Sequence, residues 1–317
     1  MAEKEFKPSL AHLRAQFLEH LLAQNMSQYT ISSYNLLLDC FYRFLEEGGI
    51  RGVLQITKKI LEDYQIFNSQ ERTKAGKPMS AVYQNMKLKV AKYFCRFVYE
   101  KEYIKDDLTR GIRYAKEPKR LPRNILSEDE VLKILKEPDL NVPLGFRDRT
   151  ILEVLYSTGV RKSELLNLDL SDVDYKQGMI LIRSGKGRKD RYLPVGRIAS
   201  QFLESYIHHI RAILLKGVPS PALFVSLQNK RLSKVYLNYI INKYAKRAGI
   251  KKKITSHSFR HTCATHLVNR GMDIRHIQTL LGHSCLSSTQ IYTKVGIKDL
   301  KKVVKKYHPR EKVKINP

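Results

Sequence analysis

The sequence predicts a mainly α protein in two helical domains, the second carrying a small antiparallel sheet. Three observations predict it. Apolar residues recur at intervals of three and four along most of the chain, a basic proline-containing stretch breaks that pattern at 116–123, and one pair of short apolar runs has strand character. In the first domain, Leu10, Leu13, Phe17, Leu18, Leu21 and Leu22 give residues 10–24 the period of an amphipathic helix. Similar patterns occupy roughly 28–47, 57–68 and 79–100, and Gly48-Gly49 and Lys74-Ala75-Gly76-Lys77-Pro78 punctuate them. Four helices joined by polar turns make a compact helical domain over residues 1–115.

The stretch Lys116-Glu117-Pro118-Lys119-Arg120-Leu121-Pro122-Arg123 reads as a linker. Its two prolines suppress helix, and its four basic residues suit an extended segment lying on a phosphate backbone. Ser127-Glu128-Asp129-Glu130 then forms a capping box that opens the second domain, 124–317, on a helix. The strand pair is Met179–Arg183 and Arg191–Val195, joined by a turn from Ser184 to Lys189.

Charge is the strongest compositional signal. Lys and Arg number 58 against 30 Asp and Glu, a net of +28, which favours a polyanionic partner through counterion release. The excess is uneven, net +8 over residues 1–123 and net +20 over 124–317. Lys87, Lys89, Lys92 and Arg96 are candidates for a DNA-facing surface on the fourth helix, although a solvated face would give the same pattern. Four scattered cysteines, Cys40, Cys95, Cys263 and Cys285, indicate neither a disulfide framework nor a zinc ribbon. With no long apolar run and a charged start, a cytoplasmic location is expected.

The chemistry-bearing residues fall in five pieces. They are Arg161 in Thr158-Gly159-Val160-Arg161-Lys162-Ser163-Glu164, Lys186 in Gly185-Lys186-Gly187, the stretch His257-Ser258-Phe259-Arg260, then Gly282-His283, and Tyr292. A phenol with pKa near ~10 is a weak nucleophile at neutral pH and needs cationic neighbours. Guanidinium is permanently charged and bidentate, which suits the non-bridging oxygens of a phosphodiester. Glu164, three residues beyond Arg161, is placed to orient that guanidinium or to make an ordinary helix salt bridge. Around Lys186 the loop fails the spacing of a nucleotide-phosphate loop. His257, His261, Cys263, His266, His283 and Cys285 bring zinc to mind, but those on the helix spread over several faces, so no metal or cofactor is expected.

Taken together, the five pieces, in the order Arg, Lys, His-x-x-Arg, Gly-His, Tyr, resemble the tyrosine recombinase (phage integrase) family, and Xer-type members most closely. The sequence departs from that family at Phe259, where leucine is common, and at Cys263, commonly aromatic. The resemblance implies a SAM-like core-binding domain and a catalytic domain that clamp double-stranded DNA at inverted-repeat core sites. It implies Tyr292 as nucleophile, Arg161 and Arg260 as phosphate clamp, Lys186 as the acid that protonates the leaving 5′-oxygen, and His257 and His283 supporting charge at phosphorus. It implies strand exchange through a 3′-phosphotyrosyl link and a Holliday junction, and a tetramer assembled through the C-terminal tail. Leu300, Val303 and Val304 are the expected tail contacts, and a second recombinase or accessory protein is a further expected partner. A type IB topoisomerase-like relaxing enzyme, a non-cleaving DNA-binding regulator and a metal-dependent nuclease are the alternatives. The short linker, the complete residue set and the lack of acidic ligands beside the histidines weigh against each in turn.

The charge distribution makes a testable statement. Affinity for duplex DNA should fall with salt at a log–log slope of about −0.9 per phosphate neutralised. Residues 124–317 alone should bind with a shallower slope and poorer discrimination of target from random sequence. Identical slopes for fragment and full chain would mean that residues 1–115 make no DNA contact.

Overall fold

The computed structural model describes residues 8–118, 124–183, 190–282 and 297–312, with side chains of the last segment from 302 to 311. The chain divides into two compact units, Met1–Arg120 and Leu121–Pro317. The fold is mainly α.

The first unit contains α1 (Leu10–Ala23), α2 (Gln28–Glu47), α3 (Lys58–Gln70) and α4 (Ala81–Glu100). Each opens on a hydroxyl. Ser9, Ser27, Thr57 and Ser80 accept from the backbone N–H of His12, Thr30, Ile60 and Tyr83, satisfying donors that the first turn leaves unpaired. On α1 the buried stripe is Leu10, Leu13, Phe17 and Leu21, while Leu22 remains 47% exposed. Phe17 meets Tyr93 and Phe94 edge-on, with centroids 5.4 and 5.7 Å apart, a geometry that aromatic quadrupoles favour.

The four basic residues of α4 do not form one surface. Lys87 is buried, pairs with Glu71 and lies 5.4 Å from the Tyr83 ring centroid. Lys92 donates to the carbonyl of Ile112 at 2.8 Å. Lys89 and Arg96 are exposed, the latter paired with Glu100 at 3.0 Å. The amphipathic lysine pattern therefore mixes a packing role with a solvated one.

The second unit contains α5 (Glu128–Lys136), α6 (Pro143–Thr158), α7 (Lys162–Asn167), β1 (Val173–Asp174), β2 (Met179–Ile182), β3 (Arg191–Pro194), α8 (Arg197–Ser205), α9 (Arg211–Leu215), α10 (Lys234–Arg247), α11 (Ser256–Asn269), α12 (Ile274–Leu281) and α13 (Ile297–Tyr307). The Ser127–Glu130 capping box opens α5. The strands form an antiparallel sheet in the order β1-β2-β3, with Ile180 opposite Leu193 and Ile182 opposite Arg191. The short β1 adds an edge strand to the expected pair. The turn expected at 184–189 lies outside the described residues.

Helix α6 is the axis of this unit, buried from Gly145 to Thr158 with α8 and α11 packed along it. Its charges are buried with it and paired. Arg147 donates to Asp148 at 2.7 Å and to the carbonyl of Val225 at 2.8 Å, and Tyr244 donates to Asp148 at 3.0 Å. Phe259 and Cys263 of α11 are both fully enclosed in the same core, as their apolar positions on the helix require.

The C-terminal segment packs on its own unit. Val304 is 2% exposed within the core and Val303 packs against it, whereas the Leu300 side chain lies outside the described residues. Beyond α13, Arg310 is buried and pairs with Glu153 of α6, which also accepts from Arg149 at 3.0 Å. Glu311 accepts from the backbone N–H of Arg197 at 2.5 Å at the start of α8. Val303 and Val304 thus pack within the single chain, and Arg310 joins the Arg149–Glu153 pair as a second guanidinium on the same carboxylate.

Glu153→Ala leaves two buried guanidiniums facing each other and should destabilise the protein by about 3–5 kcal/mol. Arg310→Ala, with Arg149 still on Glu153, should destabilise it by less. Urea denaturation of the full-length variants checks the ranking, and an equal or reversed order contradicts it.

Candidate active site

The site is built where two helices end. Helix α6 terminates at Gly159, at φ +59°, and α12 at Gly282, at φ +60°, both in the left-handed region that glycine enters without steric penalty. The two ends also touch, since a Cβ on Gly159 would stand 2.7 Å from Leu281 Cδ2. Carbonyls at such ends carry unpaired lone pairs and the negative pole of the helix.

Arginines meet these carbonyls. Arg260, on α11, donates to the carbonyl of Gly159 and to that of Leu281, each at 2.7 Å. Arg161, two residues past the first glycine, donates to the carbonyl of Gly282 at 2.6 Å. Burial, and next the charge of Arg161, lowers the pKa of Arg260 to about 10, so it remains a cation at neutral pH.

Glu164 is the carboxylate of the site. It accepts from the Arg161 backbone N–H at 3.0 Å, capping α7, and from Arg161 Nη1 at 2.9 Å. Its two oxygens also accept from Nη1 and Nη2 of Arg191 at 3.0 and 2.9 Å. Burial alone would raise its pKa, but the hydrogen bonds from Arg191 and Arg161 and their charges outweigh it and bring the group to about 2. The Glu164–Arg161 spacing was legible in the sequence. Arg191 was not, having the look of one more basic residue beside the turn. Its signal is the strand alternation, in which Arg191 and Leu193 turn inward while Tyr192 is exposed, and an inward arginine requires a carboxylate.

His257 occupies the first turn of α11, exposed, one helical turn before Arg260. Its pKa is lowered by desolvation first, then by His261, Arg260, Lys162 and Arg161, which favours the neutral ring. His266, by contrast, is a packing residue. Its ring nitrogens meet the Tyr156 hydroxyl at 2.8 Å and the carbonyl of Leu126 at 2.9 Å. Among the described residues no group of three or more His, Cys, Asp or Glu side chains is arranged to hold a metal ion. Arg161, His257 and Arg260 are brought together, whereas Lys186, His283 and Tyr292 lie outside the described residues.

Arg161 and Arg191 on one carboxylate, with Arg260 on the helix-end carbonyls beside them, leave an excess of positive charge that suits an anionic oxygen-rich ligand such as a phosphodiester. Residues 124–298 match the phage integrase family and residues 15–101 match the phage integrase N-terminal SAM-like domain, so the chain belongs to the phage integrase family of tyrosine recombinases. It is 35% identical over 292 residues to the tyrosine recombinase XerD of Staphylococcus epidermidis, covering 91% of this chain and 95% of that protein. It is 37% identical over 297 residues to the tyrosine recombinase XerC of Bacillus licheniformis, covering 93% and 95%. Among solved structures, XerH bound to palindromic difH substrate in a post-cleavage complex is similar in fold, with TM-score 0.67, 21% identity and coverage of 92% and 84%. The lambda integrase tetramer bound to a Holliday junction is similar too, with TM-score 0.66, 17% identity and coverage of 91% and 81%.

The low pKa of Glu164 gives the site an acid signature. Its folded value lies below the ordinary 4.5, so its contribution is whole above pH 4.5 and is lost as pH falls through about 2. Glu164→Gln should therefore be less stable than the parent by about 2 kcal/mol at neutral pH. The two should converge between pH 4.5 and 2 when their denaturation midpoints are followed with pH. A constant gap across that window would show that the pairing is not ionic.

Proposed function

We propose that Tyr292 attacks the scissile phosphate of duplex DNA while Arg161 and Arg260 hold its non-bridging oxygens. The Tyr292–phosphorus bond forms as the bond to the 5′-oxygen breaks, leaving a 3′-phosphotyrosyl link and a free 5′-hydroxyl. Lys186 supplies the proton to the departing oxygen, and His257 and His283 support the charge that develops at phosphorus. A 5′-hydroxyl from the partner duplex then attacks the phosphotyrosyl link, restores the phosphodiester and releases Tyr292. The phosphodiester's energy is retained in the covalent link, so rejoining needs no nucleotide.

One observation carries this reading. Arg161 and Arg260 converge on the ends of α6 and α12, and the latter leads through Gly282 directly into His283. Phosphoryl transfer depends chiefly on such placed positive charge, because the transition state gathers negative charge on the non-bridging oxygens.

In this reading residues 1–115 are the core-binding domain, 116–123 the linker and 124–317 the catalytic domain, and both domains contact the same core site. The DNA complexes of XerH and lambda integrase support DNA as the substrate, and the lambda integrase tetramer supports fourfold assembly. Assembly through the tail would exchange the contacts of Val303 and Val304 between copies, since both pack on their own unit in the single chain.

The test is adduct formation on a nicked suicide duplex in the presence of EDTA. The native chain should become covalently attached to DNA, and Tyr292→Phe should bind the duplex without attachment. An adduct in the variant, or none with the native chain in EDTA, would overturn the assignment.

A further inference from the structure

Glu164 stands between two guanidiniums that compete for it. Arginine and carboxylate favour a two-point fork, and Arg161, three residues away on the same turn, is close enough to make one. The fork is instead made by Arg191, with Nη1 on Oε1 at 3.0 Å and Nη2 on Oε2 at 2.9 Å. Arg161 is limited to a single side-chain contact, Nη1 on Oε1 at 2.9 Å. Arg191 reaches Glu164 from the inward face of β3, across 27 residues of chain. It is also wedged against the end of α12, since a Cβ on Gly282 would stand 2.9 Å from its Nε.

We propose that Arg191 is a positioning residue of this site. By occupying both oxygens of Glu164 it prevents the carboxylate from closing a fork on Arg161, and so reserves the outer donors of Arg161 for phosphate. The inference rests on the reading of Arg161 as a phosphate clamp. Glu164 has a side chain only 5% exposed, so once Arg191 is gone it does not relax into solvent. It turns to the guanidinium that remains and neutralises it.

The consequence is a suppressor relation that a merely structural role would not produce. Arg191→Met should bind duplex DNA and, although it melts cooperatively at a lower temperature than the native chain, cleave a nicked suicide duplex about a hundredfold more slowly well below its melting point. Adding Glu164→Gln removes the charge that sequesters Arg161, so the double variant should cleave faster than Arg191→Met, by about tenfold or more. If Arg191 serves only to hold the fold, the second lesion slows cleavage further, and the proposal fails. Should Arg191→Met not fold, Arg191→Lys replaces it. A lysine makes one contact where the arginine makes two, so cleavage should again fall and Glu164→Gln should again raise it. Arg161→Ala, measured alongside, separates the two readings. If that variant still cleaves, the clamp reading falls and takes this one with it. If it is inactive while Arg191→Met matches the native chain, or the double variant is slower than Arg191→Met, the role of Arg191 alone is refuted.

Discussion

The rest of the second unit depends on bonds between buried guanidiniums and helix-end carbonyls. A guanidinium taken out of water must be met by acceptors, and the cheapest acceptors that add no full negative charge are the unpaired carbonyls at a helix C-terminus. Gly159 and Gly282 bend their chains so that these carbonyls turn inward, and Arg260 bridges the two ends. The framework of the site is therefore closed with few acidic residues. Its positive charge is left standing for an incoming anion rather than cancelled from within.

Two carboxylates of the unit, Glu153 and Glu164, each stand between two arginines, and their surroundings give them opposite uses. Around Glu153 the arginine side chains are 7% and 3% exposed, so that group locks structure and is closed to ligands. Around Glu164 they are 20% and 18% exposed, which keeps the guanidiniums within reach of solvent. The same local chemistry is thus a sealed anchor at one depth and an accessible cationic group at another, because screening and access change with burial.

What could be read in the sequence were the features decided over short distances. The Ser127–Glu130 box, the strand pair at 179–182 and 191–194, and the Arg161–Glu164 spacing all depend on residues a few positions apart. What could not be read are the polar residues whose partners are remote. Arg147, Asp148 and Glu153 have the look of ordinary surface charges on a helix, yet they are buried with partners 78, 96 and 157 residues away. Lys87 misleads for the same reason, with a partner 16 residues earlier, just past the end of α3. Arg191 belongs with them. A charged side chain reads as surface until the group that neutralises it is known.

The Glu153–Arg310 pair has a bearing on the order of assembly. Helix α6 is the axis of the second unit, but its buried Glu153 gains its second arginine from a residue made 157 positions later. Contacts of such span form late, after the entropy of closing the intervening loop has been met. During synthesis the helix that delivers Arg161 would emerge early and remain incompletely satisfied until the segment around Arg310 left the ribosome. Maturation of the cationic site is in this way tied to the arrival of the segment around Arg310, so that a chain cut before it carries the arginines without the settled scaffold beneath them.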